Sequence, residues 1–452
     1  MRRIVFFFSL FFLLTLLAAW GTIPAFSAPL RQGADRDDPF PFTNPYEATI
    51  LGTPPEHRVA LPSRVEPRIR SLEIQDRLVP DVFHYNAAMQ YSVTLQDGPA
   101  PLVFLIAGTG GRYDESKMQF LQQLLHGAGC HTVCLSSPTQ FQFIVSMAQH
   151  AITGYVPWDV DDLWRVMRVI RDQIQDEREV TDIRLAGYSL GGLHSAFLAE
   201  RDARAKEFQF HRVLVLNPPV DLFNSALTFD SWLGGGEEGM EKAEKILGTF
   251  IREFTRFYKA NDLGSLSGEQ IIAFFQSLDL SDTDLRTLIA TSFRMTCASM
   301  VFSSDVCLRA GYVVRPETQL TRTTPLLPYF DVTSRITFEQ YFEEFLLPYI
   351  QYRDPSATRT SVLHECSLKS IARYLGQADN VAVLGTMDDP ILNTAERDFL
   401  LQTFGPRIHL FPHGGHCGSF QHPPFAARIL EQLDLSDQAA TFQRKPDAGG
   451  DA

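Results

Sequence analysis

Gly187-Tyr188-Ser189-Leu190-Gly191-Gly192 follows a stretch that reads as a strand, Thr181–Ala186, and opens a stretch of helical spacing, Leu190–Glu200. A strand that ends in G-x-S-x-G and turns at once into a helix lifts the serine hydroxyl above the end of a sheet. The turn is too tight for side chains two residues before and after the serine, which accounts for the glycines there. The free N–H groups and the dipole at the start of the helix favour negative charge at the same spot. Isolated strings of this kind occur by chance, and the strand-turn-helix context is what gives this one meaning. Ser189 is therefore the candidate nucleophile.

Outward from this turn the chain alternates. Met89–Gln96 reads as a strand ending at the turn Asp97-Gly98. Leu102–Ala107 (LVFLIA) is a continuous apolar run, the mark of a strand covered on both faces. A helix is expected over Ser116–Leu125, a strand over His131–Leu135, and a helix over Trp158–Gln175, where Leu163, Val166, Met167, Ile170 and Ile174 form one stripe. Arg212–Leu216 is again a strand. From Leu222 to about Ile350 no buried strand is legible, and the apolar residues fall at helical spacing instead. Alternation resumes with the strand Val381–Leu384, the helix Asn393–Phe404, the strand Ile408–Phe411 and the helix Pro423–Leu433. The expected fold class is α/β: a mostly parallel central sheet with helices on both faces and a mainly helical insertion. The segments expected are an extended arm over 28–67, a first part of the core over 68–221, an insertion over 222–355, a second part of the core over 356–435 and a flexible tail over 436–452.

The N-terminus carries its own signal. Arg2 and Arg3 precede an apolar run from Ile4 to Leu14 that continues past Thr15 to Trp20, with small residues at Ala25, Ser27 and Ala28. This reads as a signal peptide over 1–27, cleaved after Ser27, which makes the protein exported, periplasmic or secreted. The competing reading is an uncleaved anchor, and membrane association is expected only in that case. The net charge of −13 argues against nucleic acid, whose binding needs clustered Lys and Arg. Six cysteines lie beyond the signal. An oxidising compartment permits disulfides, sequence cannot choose their pairing, and Cys297 with Cys307 is the most plausible local pair.

A serine hydroxyl needs a base. His416 lies in the loop Pro412-His413-Gly414-Gly415-His416-Cys417-Gly418 after the last strand, where an imidazole can swing over the sheet. His413 shares the loop and is the second candidate, closer to the strand end. The imidazole needs an acid to orient it. The strand Val381–Leu384 runs into Gly385-Thr386-Met387-Asp388-Asp389-Pro390-Ile391. Asp389 is preferred because Pro390 and Ile391 suit a rigid turn, and Asp388 stays open as its neighbour. For a developing oxyanion two backbone N–H groups are available, those of Leu190, after the nucleophile, and Thr109, after the run Leu102–Ala107. This chemistry requires no metal and no cofactor.

Taken together, the strands, the serine turn, the acid turn and the histidine loop resemble the α/β-hydrolase superfamily over roughly Met89–Leu433. Within it, Asn217-Pro218-Pro219-Val220-Asp221-Leu222 and Asp388-Asp389-Pro390 are similar to a bacterial branch of uncharacterised, YheT-like hydrolases. The resemblance implies the chain order Ser189, Asp389, His416 for the catalytic groups. It also implies a cap over the site formed by the insertion, and a small-molecule or lipid-like ester as substrate, cleaved by a carboxylesterase or lipase-like enzyme. The sequence departs from the family where the oxyanion loop usually begins His-Gly and here has Ala107-Gly108. An envelope peptidase or amidase of the same fold, and a non-catalytic binding member of it, are the alternatives.

Overall fold

Residues 39–61, 65–73, 78–260 and 268–436 are described in the computed structural model. The signal segment 1–27, the start of the arm and the tail beyond 436 lie outside the described residues.

Strands β1 (Arg68–Leu72), β2 (Met89–Thr94), β3 (Ala100–Ile106), β4 (His131–Leu135), β5 (Val180–Tyr188), β6 (Arg212–Leu216), β7 (Val381–Thr386) and β8 (Ile408–Phe411) form one sheet. Their order is β1-β2-β4-β3-β5-β6-β7-β8. β2 runs antiparallel to both of its neighbours, β1 and β4, and every other pair is parallel. The apolar run on β3 is completely buried because helices cover both faces. Leu102, Phe104 and Ile106 point to one face with Val213 and Val215, under α3 (Val156–Glu177) and α4 (Leu190–Ala205). Val103 and Leu105 point to the other with Leu214 and Leu216, under α2 (Ser116–Gly127) and α10 (Pro423–Gln432). The period-2 alternation of a strand thus feeds two separate apolar layers.

Register decides where the loops emerge. Ile106 pairs with Gly187, Tyr188 with Leu216, and Leu216 with Leu384. The carboxyl ends of β3, β5, β6 and β7 therefore lie side by side, and the loops that follow them share one rim. Between β6 and β7 the described residues form helices: α5 (Leu222–Leu233), α6 (Gly236–Ala260), α7 (Gly268–Ser277), α8 (Asp282–Leu308) and several short ones. Asp221 and Ser367 make an isolated bridge within this stretch. Phe250, Phe254, Phe274 and Phe275 are buried together in one apolar cluster. Phe338, Phe342 and Phe345 are buried in another, which also takes in Ile144 and Ile152 of the core. After β7 comes α9 (Thr394–Phe404).

Two expectations are corrected. The arm is not extended throughout, since Pro45–Leu51 forms helix α1, with the Asn44 side chain accepting from the amides of Tyr46 and Glu47. Cys297 and Cys307 are not bridged, and none of the six cysteines is in a disulfide. Both residues sit on α8, where ten residues separate their Cα atoms by about 15 Å at 1.5 Å per residue. A disulfide tolerates roughly 7 Å at most. Among the described residues no helix is long and apolar enough to cross a membrane.

Candidate active site

The turn between β5 and α4 is held by backbone contact. A Cβ on Gly187 would collide with the carbonyl of Gly191, and one on Gly191 with the carbonyl of Ile106. Space, and not an unusual dihedral, excludes side chains at both positions. Ser189 itself has φ 53° and ψ −124°, a conformation that costs a non-glycine residue on the order of 1–3 kcal/mol. Its amide donates to the carbonyl of Leu216 at 2.8 Å, which ties the turn to β6. The strained backbone leaves the Ser189 hydroxyl half-buried at the rim.

Two loops bring partners to it. His416 Nε2 lies 2.9 Å from Ser189 Oγ. His416 Nδ1 lies 2.9 Å from Asp389 Oδ2 and 3.1 Å from Oδ1. Asp389 is buried, and its oxygens also accept from Asn217 Nδ2 at 3.0 Å and from the Ile391 amide at 3.1 Å. Because Pro390 has no N–H, Ile391 supplies the first available donor after Asp389.

Asp388 points elsewhere. It accepts from the amides of Gly415 at 2.9 Å and Gly414 at 3.2 Å, and its Oδ2 lies 3.4 Å from His413 Nδ1. The adjacent acids thus divide the work: Asp389 meets the imidazole, and Asp388 fixes the loop that carries it. His413, the second candidate for the base, stays outside the Ser189–His416–Asp389 chain. His194 is fully buried behind the site, 3.6 Å from Asp159.

Burial disfavours the charged imidazolium of His416. The Asp389 carboxylate more than offsets this, helped by the Cys417 thiol, and the pKa of His416 is raised above the ordinary 6.5. A base must be unprotonated, so the rate is expected to rise with pH through that raised value. The acid limb of kcat/KM should accordingly lie above pH 6.5, which a rate profile over pH 5–10 checks. A limb at or below 6.5 would mean that the Asp389 carboxylate does not outweigh the burial of the imidazole.

The loop after β3 faces the turn. The amide of Gly110 donates to Thr139 Oγ1 at 2.8 Å and that of Gly111 to the carbonyl of Gly108 at 2.9 Å. Ser137 Oγ bonds Thr139 Oγ1 at 2.8 Å. Among the described residues the amide of Thr109 has no acceptor. That of Leu190, the first residue of α4, has none within its helix. Thr296 of α8 packs onto Gly110, so the insertion reaches this rim. A cavity of about 520 Å³ between α6 and α7, lined by Ile246, Phe250, Phe257 and Phe274 among others, includes none of Ser189, His416, Asp389, Thr109 and Leu190. Among the described residues no three or more His, Cys, Asp or Glu are arranged to hold a metal ion.

Reading by motif misses Asn217, Thr139 and Thr49, whose Oγ1 accepts from the His416 amide at 2.9 Å. Asn217 carries one detectable signal: it follows a strand directly and precedes two prolines, and its φ is 42°. Asparagine is enriched in that conformation.

No family model and no curated protein matches the chain. The finer likeness to YheT-like hydrolases therefore gains nothing from these comparisons. Among solved structures the chain is similar to the thioesterase domain from the curacin biosynthetic pathway, at 12% identity over 82% of this chain and 99% of that one, with a TM-score of 0.39. It is similar to the proline iminopeptidase of Mycobacterium smegmatis, at 15% identity over 82% and 100%, with a TM-score of 0.39. A third is carboxyl esterase 2 of the fungus Tuber melanosporum, at 13% identity over 83% and 88%, with a TM-score of 0.40. Likenesses this remote assign nothing by themselves. Strand order, the strained serine between strand and helix, and the rim on which hydroxyl, imidazole and carboxylate meet give this chain the α/β-hydrolase fold.

Proposed function

We propose that the chain is an exported serine hydrolase that cleaves carboxylic esters through an acyl-enzyme. The observation that carries the reading is the unbroken hydrogen-bonded chain Ser189 Oγ, His416 Nε2, His416 Nδ1 and Asp389, with 2.9 Å at both of its junctions. In the first half-reaction His416 Nε2 takes the hydroxyl proton while Oγ attacks the ester carbonyl carbon. The carbonyl π pair moves onto oxygen, where the amides of Thr109 and Leu190 receive it. Asp389 keeps the imidazole in the right tautomer and stabilises its charged form. His416 then passes the proton to the leaving alkoxide oxygen as the C–O bond breaks. In the second half-reaction His416 deprotonates a water, which attacks the acyl carbon, and Oγ leaves and regains its proton.

An ester asks less of such a site than an amide, because the amide carbonyl is more strongly stabilised by resonance with its nitrogen and an alkoxide leaves more readily than an amide anion. The substrate class is a small-molecule or lipid-like ester, and the insertion that touches Gly110 serves as a cap. Export rests on Arg2, Arg3, the apolar run and the small residues before Ala28.

A fluorophosphonate probe with adduct mapping tests the reading. One adduct on Ser189 is expected, together with faster turnover of p-nitrophenyl esters than of aminoacyl anilides. No adduct, or one elsewhere, would remove the serine mechanism. Preference for the anilides would transfer the same site to a peptidase or amidase.

A further inference from the structure

We infer that the N-terminal arm is part of the catalytic apparatus, with Thr49 on α1 as a positioning residue for His416. The inference rests on the proposed serine mechanism. The histidine loop is rich in glycine and therefore soft, yet an effective base must be held within a fraction of an ångström. Part of that restraint comes from the core: Asp388 binds the amides of Gly414 and Gly415, and Thr386 Oγ1 donates to the carbonyl of Gly415 at 2.7 Å.

The remainder comes from the arm. Thr49 Oγ1 accepts from the amide of His416 itself at 2.9 Å and donates to the carbonyl of Pro45 at 2.6 Å. The hydroxyl is thus oriented by its own helix before it meets the loop. Thr53 Oγ1 donates to the carbonyl of Gly418 at 3.0 Å on the far side of the histidine. The two backbones touch: a Cβ on Gly415 would collide with the carbonyl of Pro45, and one on Gly418 with the carbonyl of Ala48. The glycines on either side of His416 thus make room for α1. Further along, the amide of Val59 donates to the carbonyl of Gln421 at 2.8 Å, and the rings of Phe40 and His422 meet edge to face.

The same helix is anchored on the insertion. Asn44 Nδ2 donates to Asp282 Oδ1 at 2.8 Å, the rings of Tyr46 and Trp232 meet edge to face, and the Arg286 guanidinium lies over Tyr46. Ala48 and Leu51 are buried in the apolar cluster of α6, α7 and α8. The arm therefore bridges the insertion and the catalytic base.

Thr49→Val keeps the shape of the side chain and removes its hydroxyl, whereas Thr49→Ser keeps the hydroxyl. With a p-nitrophenyl ester, Thr49→Val is expected to lower kcat by roughly tenfold with little change in KM, as loss of a single orienting hydrogen bond would. Thr49→Ser should restore most of it. In parallel, NMR titration of the His416 imidazole should show its pKa displaced in Thr49→Val and returned in Thr49→Ser. If the wild-type enzyme hydrolyses nothing, the function is wrong, and the titration alone decides the positioning role. Wild-type kcat and an unmoved His416 titration in a folded Thr49→Val protein would overturn the inference. Should that variant not fold, Thr53→Val is the substitute. A fall in its kcat at unchanged KM supports the arm's role, and full activity rejects it.

Discussion

Ser189→Ala is expected to abolish hydrolysis, with kcat/KM falling by on the order of 10⁶-fold, while the protein melts within about 1 kcal/mol of wild type. The size of the effect follows from what the hydroxyl does. Its oxygen supplies the electron pair that forms the acyl bond, and water held in its place would lack the effective concentration of a fixed nucleophile. The small effect on stability follows from what the hydroxyl touches. Its hydrogen bond is to His416 Nε2, a ring already held by Asp389 and by its backbone. The strained φ of 53° belongs to the turn, and alanine inherits it, so neither relief nor extra strain is introduced. The amides of Thr109 and Leu190 survive the change, so a small residual rate above that of water is expected from them. Measured hydrolysis, fluorophosphonate labelling and a thermal melt check the three parts together. An alanine variant retaining a sizeable share of the activity would assign the chemistry to another group.

The serine turn is legible in the sequence because three local constraints coincide there: a buried strand before it, a helix after it, and glycines where backbones touch. The central strands are legible for a related reason. Burial on both faces leaves an apolar run with little polar interruption, as in Leu102–Ala107. β1 is not legible, since Arg68–Leu72 is an edge strand whose only buried residue is Leu72, and nothing alternates. α1 is harder still. Seven residues give no periodicity, and the only local signs are Asn44 as a cap and Pro45 in the first turn. What places that helix against His416 is the glycine spacing of a loop some 370 residues away in the chain, which no local pattern reports. Asn217 and Thr139 are hidden in the same way, because their roles exist only once β6 lies beside β7 and β3 beside β4. The disulfide expectation fails because proximity in sequence is not proximity in space along a helix: Cys297 and Cys307 are ten residues apart, and α8 keeps them apart.

Asp389→Asn is expected to lower kcat by on the order of 10⁴-fold, whereas Asp388→Asn should cost less than about tenfold in kcat and roughly 1.5–3 kcal/mol in stability at most. The contrast follows from the hydrogen bonds. In wild type both Asp389 oxygens are acceptors, one shared with the Ile391 amide and the other with Asn217 Nδ2. An amide at 389 must place its NH₂ at one of these two positions. Beside Ile391 it would face a backbone donor that cannot turn away. Beside Asn217 it meets a side chain that can flip, and Asn217 Oδ1, buried without a partner, becomes its acceptor. The NH₂ therefore settles on the Asn217 side, which is also the side 2.9 Å from His416 Nδ1. There a donor faces Nδ1 and drives the ring proton to Nε2. An imidazole carrying its proton on Nε2 cannot take one from Ser189, and no negative charge remains to stabilise the imidazolium. Asparagine at 388 still accepts from one of the two loop amides, so the loop loosens without losing its base. Rates and thermal melts of the two variants, measured side by side, separate the roles. A dead Asp388→Asn enzyme beside a fully active Asp389→Asn would reverse them.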